Sequence, residues 1–182
     1  MRIISGKYRG KVLIAPRNLP TRPTTDFAKE ALFNLLQNYF NLEAITVLDL
    51  FAGTGNISYE LASRGTENIT AIDNNFLCVR FIHQTAEKLG FKGLQAIKAD
   101  ALQYVGRAYH KWDVIFADPP YNYANHSELV DVILSRHLLN EGGILVIEHG
   151  RETSFANHPN LFDERKYGNV HFSFFQLETA ND

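Results

Sequence analysis

The segment DLFAGTGNIS, residues 49–58, has the residue types needed to hold a ligand where a strand ends. Gly53 and Gly55 let the backbone approach a bound group closely, and a helix beginning just after them would add free N–H groups. Ser58 stands where a dinucleotide fingerprint has its third glycine, and the absence of Gly-Lys-Thr/Ser excludes a P-loop. Asp49 suits a cationic or amine ligand better than a pyrophosphate. The alternative is a tight strand-to-helix turn that binds nothing.

Two further carboxylates follow apolar runs. Asp73 stands 20 residues after Gly53, where its carboxylate can accept hydrogen bonds from both hydroxyls of a ribose. Asp100, in the segment ADAL, can accept a hydrogen bond from an adenine amino group. Each has an alternative role as the cap of a following helix. Three such strand ends in this order predict a binding site for an adenosine group.

The elements that position these residues alternate along the chain. Apolar spacing predicts a helix in RPTTDFAKEALFNLLQNYF, capped by Thr25 or Asp26, and helices over 56–63, 75–89, about 101–109 and 126–138. Strands are predicted in ITVLDLFA, NITAIDN, LQAIKAD, WDVIFADPP and GGILVIEHG, with a hairpin pair in FDERKYGNVHFSFFQLE. This alternation predicts a doubly wound α/β sandwich, whose ligands bind beyond the carboxyl ends of the strands.

The charge distribution singles out the N-terminus. The net charge is -2, yet residues 1–30 hold seven basic and two acidic side chains. The run RIISGKYRGKVLIAP predicts a small β-hairpin before the core. We therefore expect a basic β-hairpin arm over residues 1–20, which binds a polyanion by neutralising phosphates, and a globular domain over 21–182. A solvated basic face is the alternative.

Composition limits the classes of protein that fit. The chain has 182 residues, 45% of them hydrophobic and 21% charged, as expected of one soluble domain. No apolar run approaches the roughly 20 residues of a membrane span, and the N-terminus lacks the apolar core of a secretion signal. Cys78 is the single cysteine and the histidines have no ligand spacing, so no disulfide or metal site is expected. These features predict a cytoplasmic protein that does not contact membranes.

The segment DPPY, residues 118–121, follows the predicted strand WDVIFA. Together with DLFAGTG, AIDNN and KAD it resembles the S-adenosylmethionine-dependent methyltransferases that act on exocyclic amino groups of bases. The segments RIISGKYRG and RPTTDFAKEALFNLL narrow the resemblance to the RsmD family of 16S ribosomal RNA guanine-N2 methyltransferases. It runs from Arg2 to about Gly168. One departure is KYGNV, in which Val170 takes the place of a threonine that is common in the family.

This resemblance implies a Rossmann-like class I methyltransferase fold. The expected sheet has seven mostly parallel strands, with helices on both faces and a small N-terminal β-hairpin extension. S-adenosylmethionine is the implied cofactor, and its implied contacts are Asp49, Phe51, Gly53, Thr54, Gly55, Asp73, Asn74, Asp100 and Ala101.

The resemblance also implies how the amine is handled. Asp118, with the Pro119 carbonyl, accepts hydrogen bonds from the guanine amine; the two prolines, Pro119 and Pro120, hold these acceptors rigidly, and Tyr121 stacks on the extruded base. The implied partner is ribosomal RNA, within an assembling small subunit, bound by a monomer. Its implied contacts are Arg2, Lys7, Arg9, Lys11, Arg22 and Thr24. Glu148 matches an acidic position of the family, with a structural and a functional role equally open.

Three other classes of protein share parts of this pattern. A DNA adenine-N6 methyltransferase shares the cofactor motifs and DPPY, but 182 residues leave little room for a target-recognition domain. A non-catalytic RNA-binding module would keep the basic arm, yet it would have no need of Asp118. An NAD-dependent oxidoreductase is disfavoured by Ser58.

Overall fold

The computed structural model describes residues 1–20, 22 and 24–178, and these form alternating helices and strands. The helices are α1 (Asp26–Tyr39), α2 (Asn56–Ser63), α3 (Phe76–Leu89), α4 (Ala101–Arg107) and α5 (His126–Ser135), with a 3₁₀ turn at Leu42–Ala44. The strands are β1 (Thr46–Leu50), β2 (Asn68–Asp73), β3 (Leu94–Lys98), β4 (Trp112–Ala117), β5 (Leu139–His149), β6 (Leu161–Tyr167) and β7 (Val170–Phe175). Among these residues, no helix is long and apolar enough to cross a membrane.

All seven strands form one sheet in the order β3-β2-β1-β4-β5-β7-β6. Strands β1 to β5 are parallel, whereas β7 runs antiparallel to both β5 and β6. The expected mostly parallel seven-stranded sheet is therefore confirmed. The order reverses between β1 and β4, which places a crevice at their carboxyl ends.

The sheet is covered on both faces, as expected. Successive residues of a strand point to opposite faces of the sheet and so pack in two different hydrophobic clusters. Val47 packs with residues of α1, α2 and α3, whereas Leu48 packs with residues of α4 and α5. The same alternation separates Phe116 from Ala117 in β4. Because the strands are buried on both faces, they read as continuous apolar runs in the sequence.

The N-terminal segment differs from the expected β-hairpin. Within residues 1–20 the structure has one antiparallel bridge, between Arg2 and Val12, and turns between them, but no strand. This segment lies on the body of the protein: Ile3 is buried, and Glu60 of α2 accepts hydrogen bonds from the backbone N–H groups of Ile4 and Ser5. Backbone hydrogen bonds pair residues 1–3 with residues 10–13, and contacts with α2 hold the segment on the body of the protein, where a longer strand ladder was expected.

The helix predicted over 126–138 ends earlier, and the following strand begins earlier. His137 has a positive φ of 53°, which stops the helix after Ser135. Strand β5 then starts at Leu139 rather than at the glycine pair, and its register against β4 shifts between Trp112 and Val114. The positive φ of Gly142, 73°, accommodates this irregularity inside the strand.

Candidate active site

A cleft of about 620 Å³ lies beyond the carboxyl ends of β1, β2 and β4. Its size is within the range of small-molecule sites. Most of the residues that the sequence singled out line it: Arg22, Thr24, Asp49, Phe51, Gly53, Thr54, Asp73, Asn74, Asp100, Asp118, Pro119, Pro120 and Tyr121. Gly55, Ala101, Arg2, Lys7, Arg9 and Lys11 are outside this lining.

The loop after β1 is fixed by Asp73. Oδ2 of Asp73 accepts a hydrogen bond of 2.8 Å from the N–H of Gly53, and Oδ1 accepts one of 2.9 Å from the N–H of Asn75. Each carboxylate oxygen keeps a further lone pair. Asp73 thus holds the glycine loop and still presents acceptors to the cleft.

The two loop glycines have different reasons to be glycine. Both have positive φ, 55° at Gly53 and 90° at Gly55. A Cβ on Gly53 would meet nothing closer than the Phe51 carbonyl oxygen at 4.0 Å, so the backbone there is open to the cleft. A Cβ on Gly55 would lie 2.7 Å from the ring of Tyr59. Gly53 therefore leaves room for a ligand, whereas Gly55 serves the packing of α2.

Asp100 and Ala101 begin helix α4. Oδ1 of Asp100 accepts a hydrogen bond of 2.9 Å from the N–H of Gln103, which is the capping role that the sequence left open. Asp100 also lines the cleft, so capping does not remove it from the site. Ala101 is buried in the core beneath it.

Asp49 is a buried carboxyl group beneath the cleft. Ser58 donates a hydrogen bond of 2.6 Å to its Oδ2, so the serine at the third glycine position has a polar partner. Burial raises the pKa of Asp49 to about 7, although the Ser58 hydroxyl acts in the opposite direction. Asp49 therefore titrates near neutral pH, unlike an exposed aspartate.

Asp118 lies in a cluster of polar side chains at the end of β4. Nη2 of Arg22 is 3.9 Å from Oδ1 of Asp118 and 3.7 Å from Oε1 of Glu148. The guanidinium carbon of Arg22 lies 3.3 Å from the centroid of the Tyr121 ring, as in a cation–π contact. Thr24 donates a hydrogen bond of 2.9 Å to Oε2 of Glu148. Pro23, between them in the RPTT motif, is outside the described residues.

Both carboxyl groups of this cluster are harder to ionise than usual. Burial raises the pKa of Asp118 well above its ordinary value, and the negative charge of Glu148 adds to this, against the opposing effect of Arg22. Burial likewise raises the pKa of Glu148, while the Thr24 hydroxyl and Arg22 lower it. Such a shift makes Asp118 a better proton acceptor at neutral pH than an exposed aspartate.

The four basic residues of the N-terminal segment that were predicted to bind RNA are outside the lining of the cleft. Arg2 is paired with Asp26 at 2.9 Å. Lys7, Arg9 and Lys11 are exposed, and the ammonium groups of Lys7 and Lys11 lie 5.4 and 5.5 Å from the ring centroid of Tyr8. The structure therefore places Lys7, Arg9 and Lys11 on the exposed surface, whereas Arg2 lies beside the start of α1 through its pair with Asp26.

Several cleft residues were not foreseen. Asn56 and Cys78 line the cleft from the first turns of α2 and α3, and Tyr123 lines it from the loop after DPPY. Tyr123 packs edge to face on Phe51, with ring centroids 5.1 Å apart. Their only sequence signal is that each follows a predicted strand end by a few residues. Cys78 is only 1% exposed, as is usual for a cysteine that packs as a small core residue.

Comparison with known proteins gives the family. The family described as Conserved hypothetical protein 95 matches residues 1–176. "Putative rRNA methyltransferase YlbH" of Bacillus subtilis (strain 168) is 36% identical over 156 residues, 84% of each chain. "Ribosomal RNA small subunit methyltransferase D" of Escherichia coli (strain K12) is 25% identical over 185 residues, 100% of this chain and 92% of that protein.

A solved structure shares the fold over nearly the whole chain. The structure described as "Putative methyltransferase yhhF from Escherichia coli" superposes with a TM-score of 0.84 at 25% identity, covering 98% of both chains. The Rossmann-like class I methyltransferase fold expected from the sequence is thereby confirmed. By its fold and by the family match over residues 1–176, the chain belongs to the Conserved hypothetical protein 95 family, the RsmD family of S-adenosylmethionine-dependent methyltransferases.

Proposed function

We propose that this chain transfers a methyl group from S-adenosylmethionine to the exocyclic N2 amine of a guanine in small-subunit ribosomal RNA. The observation that carries the proposal is the position of Asp118 and Tyr121. Asp118 and Tyr121 line the cleft from the end of β4, whereas Asp73 and Asp100 line it from the ends of β2 and β3, on the other side of β1 in the sheet. The names of the relatives, one of which specifies the small ribosomal subunit, support RNA as the substrate.

The residues that line the cleft fit the cofactor. The backbone at Gly53 is open, as a ligand approaching the loop requires. In the proposal, Asp73 accepts hydrogen bonds from the two ribose hydroxyls, and Asp100 and Asn74 lie toward the adenine. The rest of the cofactor lies along Phe51, Thr54 and Asp49. When bound, S-adenosylmethionine supplies an electrophilic methyl group on a positively charged sulfur. Ala101 and Gly55 support this site from the core rather than by contact.

Asp118 orients the accepting amine. The lone pair of an amine on guanine is delocalised into the ring, which makes it a poor nucleophile. Hydrogen bonds from the amine to Asp118 and to the Pro119 carbonyl aim the lone pair and stabilise the positive charge that grows on nitrogen. Pro119 and Pro120 limit backbone motion around these acceptors. Tyr121 offers its ring to the extruded base.

The bonds and protons of the reaction balance without a metal or oxidant. In this transfer the amine nitrogen would gain the methyl group as the bond between that group and the cofactor sulfur breaks, and the bound S-adenosylmethionine would become a neutral thioether. The nitrogen then loses one proton, for which Asp118 is a suitable acceptor because burial raises its pKa. Every residue assigned to the reaction comes from one chain, so the proposal requires no second copy.

The exposed basic side chains near the N-terminus give the proposal a contact surface for RNA. Lys7, Arg9 and Lys11 meet RNA phosphates on the outer surface, and Arg22 and Thr24 act at the cleft. Arg2 contributes only if RNA displaces Asp26, because the two are paired in the free chain.

Transfer of a tritiated methyl group tests the choice of substrate. The purified chain is offered small-subunit particles from cells lacking the enzyme, naked ribosomal RNA, and genomic DNA. We expect label in the particles or in the RNA. Label confined to DNA would replace the proposal with an adenine-N6 methyltransferase. Tight binding of S-adenosylhomocysteine without transfer to any of the three would overturn the assignment of an enzyme.

A further inference from the structure

Arg22 covers the part of the site where a base would stack. Its guanidinium carbon lies 3.3 Å from the centroid of the Tyr121 ring, so the group sits over the ring face. The ring is also approached by the backbone at Gly150, where a Cβ would be 3.2 Å from Cδ1 of Tyr121. A base that stacks on the ring face covered by Arg22 therefore takes the place that Arg22 occupies in the free chain.

The same guanidinium group faces two carboxylates. Nη2 of Arg22 is 3.9 Å from Oδ1 of Asp118 and 3.7 Å from Oε1 of Glu148. Both distances are too long for strong hydrogen bonds, so the single positive charge of Arg22 offsets part of the negative charge of the pair without binding either carboxylate tightly. Asp118 and Glu148 thus present two acceptor oxygens to one planar, nitrogen-rich group.

The two carboxylate oxygens of Glu148 differ in their hydrogen bonding. Oε2 accepts the hydrogen bond from Thr24 at 2.9 Å, which fixes the rotation of the carboxylate. Oε1 is turned toward Arg22, and within the described residues it accepts no hydrogen bond. The side chain is only 2% exposed. A ligand that donates a hydrogen bond to Oε1 would therefore give this carboxylate oxygen a partner.

Guanine carries the chemical group that fits these two acceptors. Its N1, C2 and N2 atoms form a guanidine-like edge that offers N1–H beside the two N2–H bonds. Adenine offers an amine beside an unprotonated N1, which would face Glu148 as a second acceptor. A pair of acceptors therefore favours guanine, because the wrong base leaves a buried polar group unpaired.

We propose that Glu148 selects guanine: its Oε1 accepts the hydrogen bond from N1–H while Asp118 accepts from N2–H, and Arg22 fills this two-acceptor site in the free chain. This inference rests on the proposed function and adds a specificity-determining residue to it. Thr24 acts as a positioning residue, since it holds Glu148 without touching the base.

The test changes the hydrogen-bonding group both on the RNA base and on residue 148 of the protein. Small-subunit particles are assembled with RNA that carries either guanine or 2-aminopurine at the methylated position. 2-Aminopurine keeps the C2 amine, but its N1 is an acceptor. Glu148→Gln places an amide that can donate to that N1. Glu141→Gln is the matched control, because Glu141 lies on the same strand and is exposed.

The wild-type chain should prefer guanine, and Glu148→Gln should lower kcat/KM for guanine on the order of ten- to a hundredfold. The same variant should methylate 2-aminopurine faster than the wild-type chain does, while Glu141→Gln behaves as wild type. An equal loss on both bases, or no loss on either, would overturn the role of Glu148. Wild-type protein that leaves guanine unmethylated would instead refute the proposed function.

Two further measurements protect the test against a folding defect. Affinity for S-adenosylhomocysteine should match wild type in Glu148→Gln, which reports an intact cleft. Glu148→Asp keeps the charge but withdraws the acceptor by one methylene. It should lower the guanine to 2-aminopurine ratio of kcat/KM because only guanine loses a partner. An unchanged ratio in Glu148→Asp would contradict the inference.

Discussion

At the scale of single residues, the proposed function gives separate tasks to Asp118 and Asp73, which line the same cleft. Asp118→Ala removes the acceptor for the amine, so we expect the rate of methyl transfer to fall by roughly a factor of 10²–10³. The affinity for S-adenosylhomocysteine should change little, because the proposal assigns Asp118 to the guanine amine and not to the cofactor. Single-turnover rates and calorimetric binding measure the two quantities. Wild-type transfer by Asp118→Ala would refute the mechanism.

Asp73→Ala should give the opposite pattern. It removes the acceptors for the ribose and also releases the N–H of Gly53 from its 2.8 Å hydrogen bond. We expect the dissociation constant of S-adenosylhomocysteine to rise by on the order of ten- to a hundredfold, as for loss of hydrogen bonds to a charged group. At saturating cofactor the transfer rate should recover in large part. Unchanged cofactor affinity would show that Asp73 serves only the loop.

The raised pKa of Asp118 predicts that the rate of methyl transfer falls at acidic pH, which gives the pH profile an acid limb. Only the ionised carboxylate accepts from the amine, so activity falls as pH drops through the pKa of Asp118 in the complex. Glu148 contributes to raising that pKa through its negative charge. Glu148→Gln should therefore move the acid limb to lower pH, whatever its effect on the maximal rate. The measurement is kcat against pH at saturating cofactor, and a limb that stays in place would contradict this electrostatic coupling.

At the scale of elements, helices α1 and α2 hold the N-terminal segment through a buried ion cluster. Glu60 pairs with Lys29 at 3.4 Å and with Arg64 at 2.9 Å, and it also binds the N–H groups of Ile4 and Ser5. Glu60→Gln leaves two buried cations without their counter-charge. We expect a loss of about 3–5 kcal/mol in the free energy of unfolding.

Urea unfolding measures this loss, and the exposed Glu30 of α1 provides the matched control, Glu30→Gln. Burial lowers the pKa of Lys29, and Glu60 opposes that effect, so Glu60→Gln should also make Lys29 easier to deprotonate. Equal midpoints for Glu60→Gln and wild type would show that the cluster contributes little to docking the segment.

The aspartates at the strand ends could be predicted as cleft residues because each is recognised from the few residues around it in the sequence. Asp49, Asp73 and Asp118 each follow an apolar run, and the parallel order of β2, β1 and β4 brings those ends together. The contact between Thr24 and Glu148 joins residues 124 positions apart. Hydrophobic periodicity describes only local structure, so it could not predict this contact. The docking of Ile4 and Ser5 on Glu60 likewise spans 56 and 55 positions, which is why a free hairpin was expected instead.

At the scale of the whole molecule, the exposed charges of the N-terminal segment predict salt-dependent RNA binding. Replacing Lys7, Arg9 and Lys11 with glutamine should weaken binding and reduce the slope of log affinity against log salt by about 0.7 for each lost contact to single-stranded RNA. The control replaces Arg107, Lys111 and Arg136, which are exposed on the side of α4 and α5. Equal slopes for both triple variants would place the RNA elsewhere.

The identity of the methylated nucleoside tests the central claim most directly. Small-subunit particles from cells lacking the enzyme are methylated by the wild-type chain and by Asp118→Ala, and the RNA is digested and separated by liquid chromatography with mass spectrometry. We predict N2-methylguanosine with the wild-type chain and a large loss of it with the variant. N1-methylguanosine or N6-methyladenosine as the product, or equal yields from both proteins, would contradict the assignment of the guanine amine to Asp118.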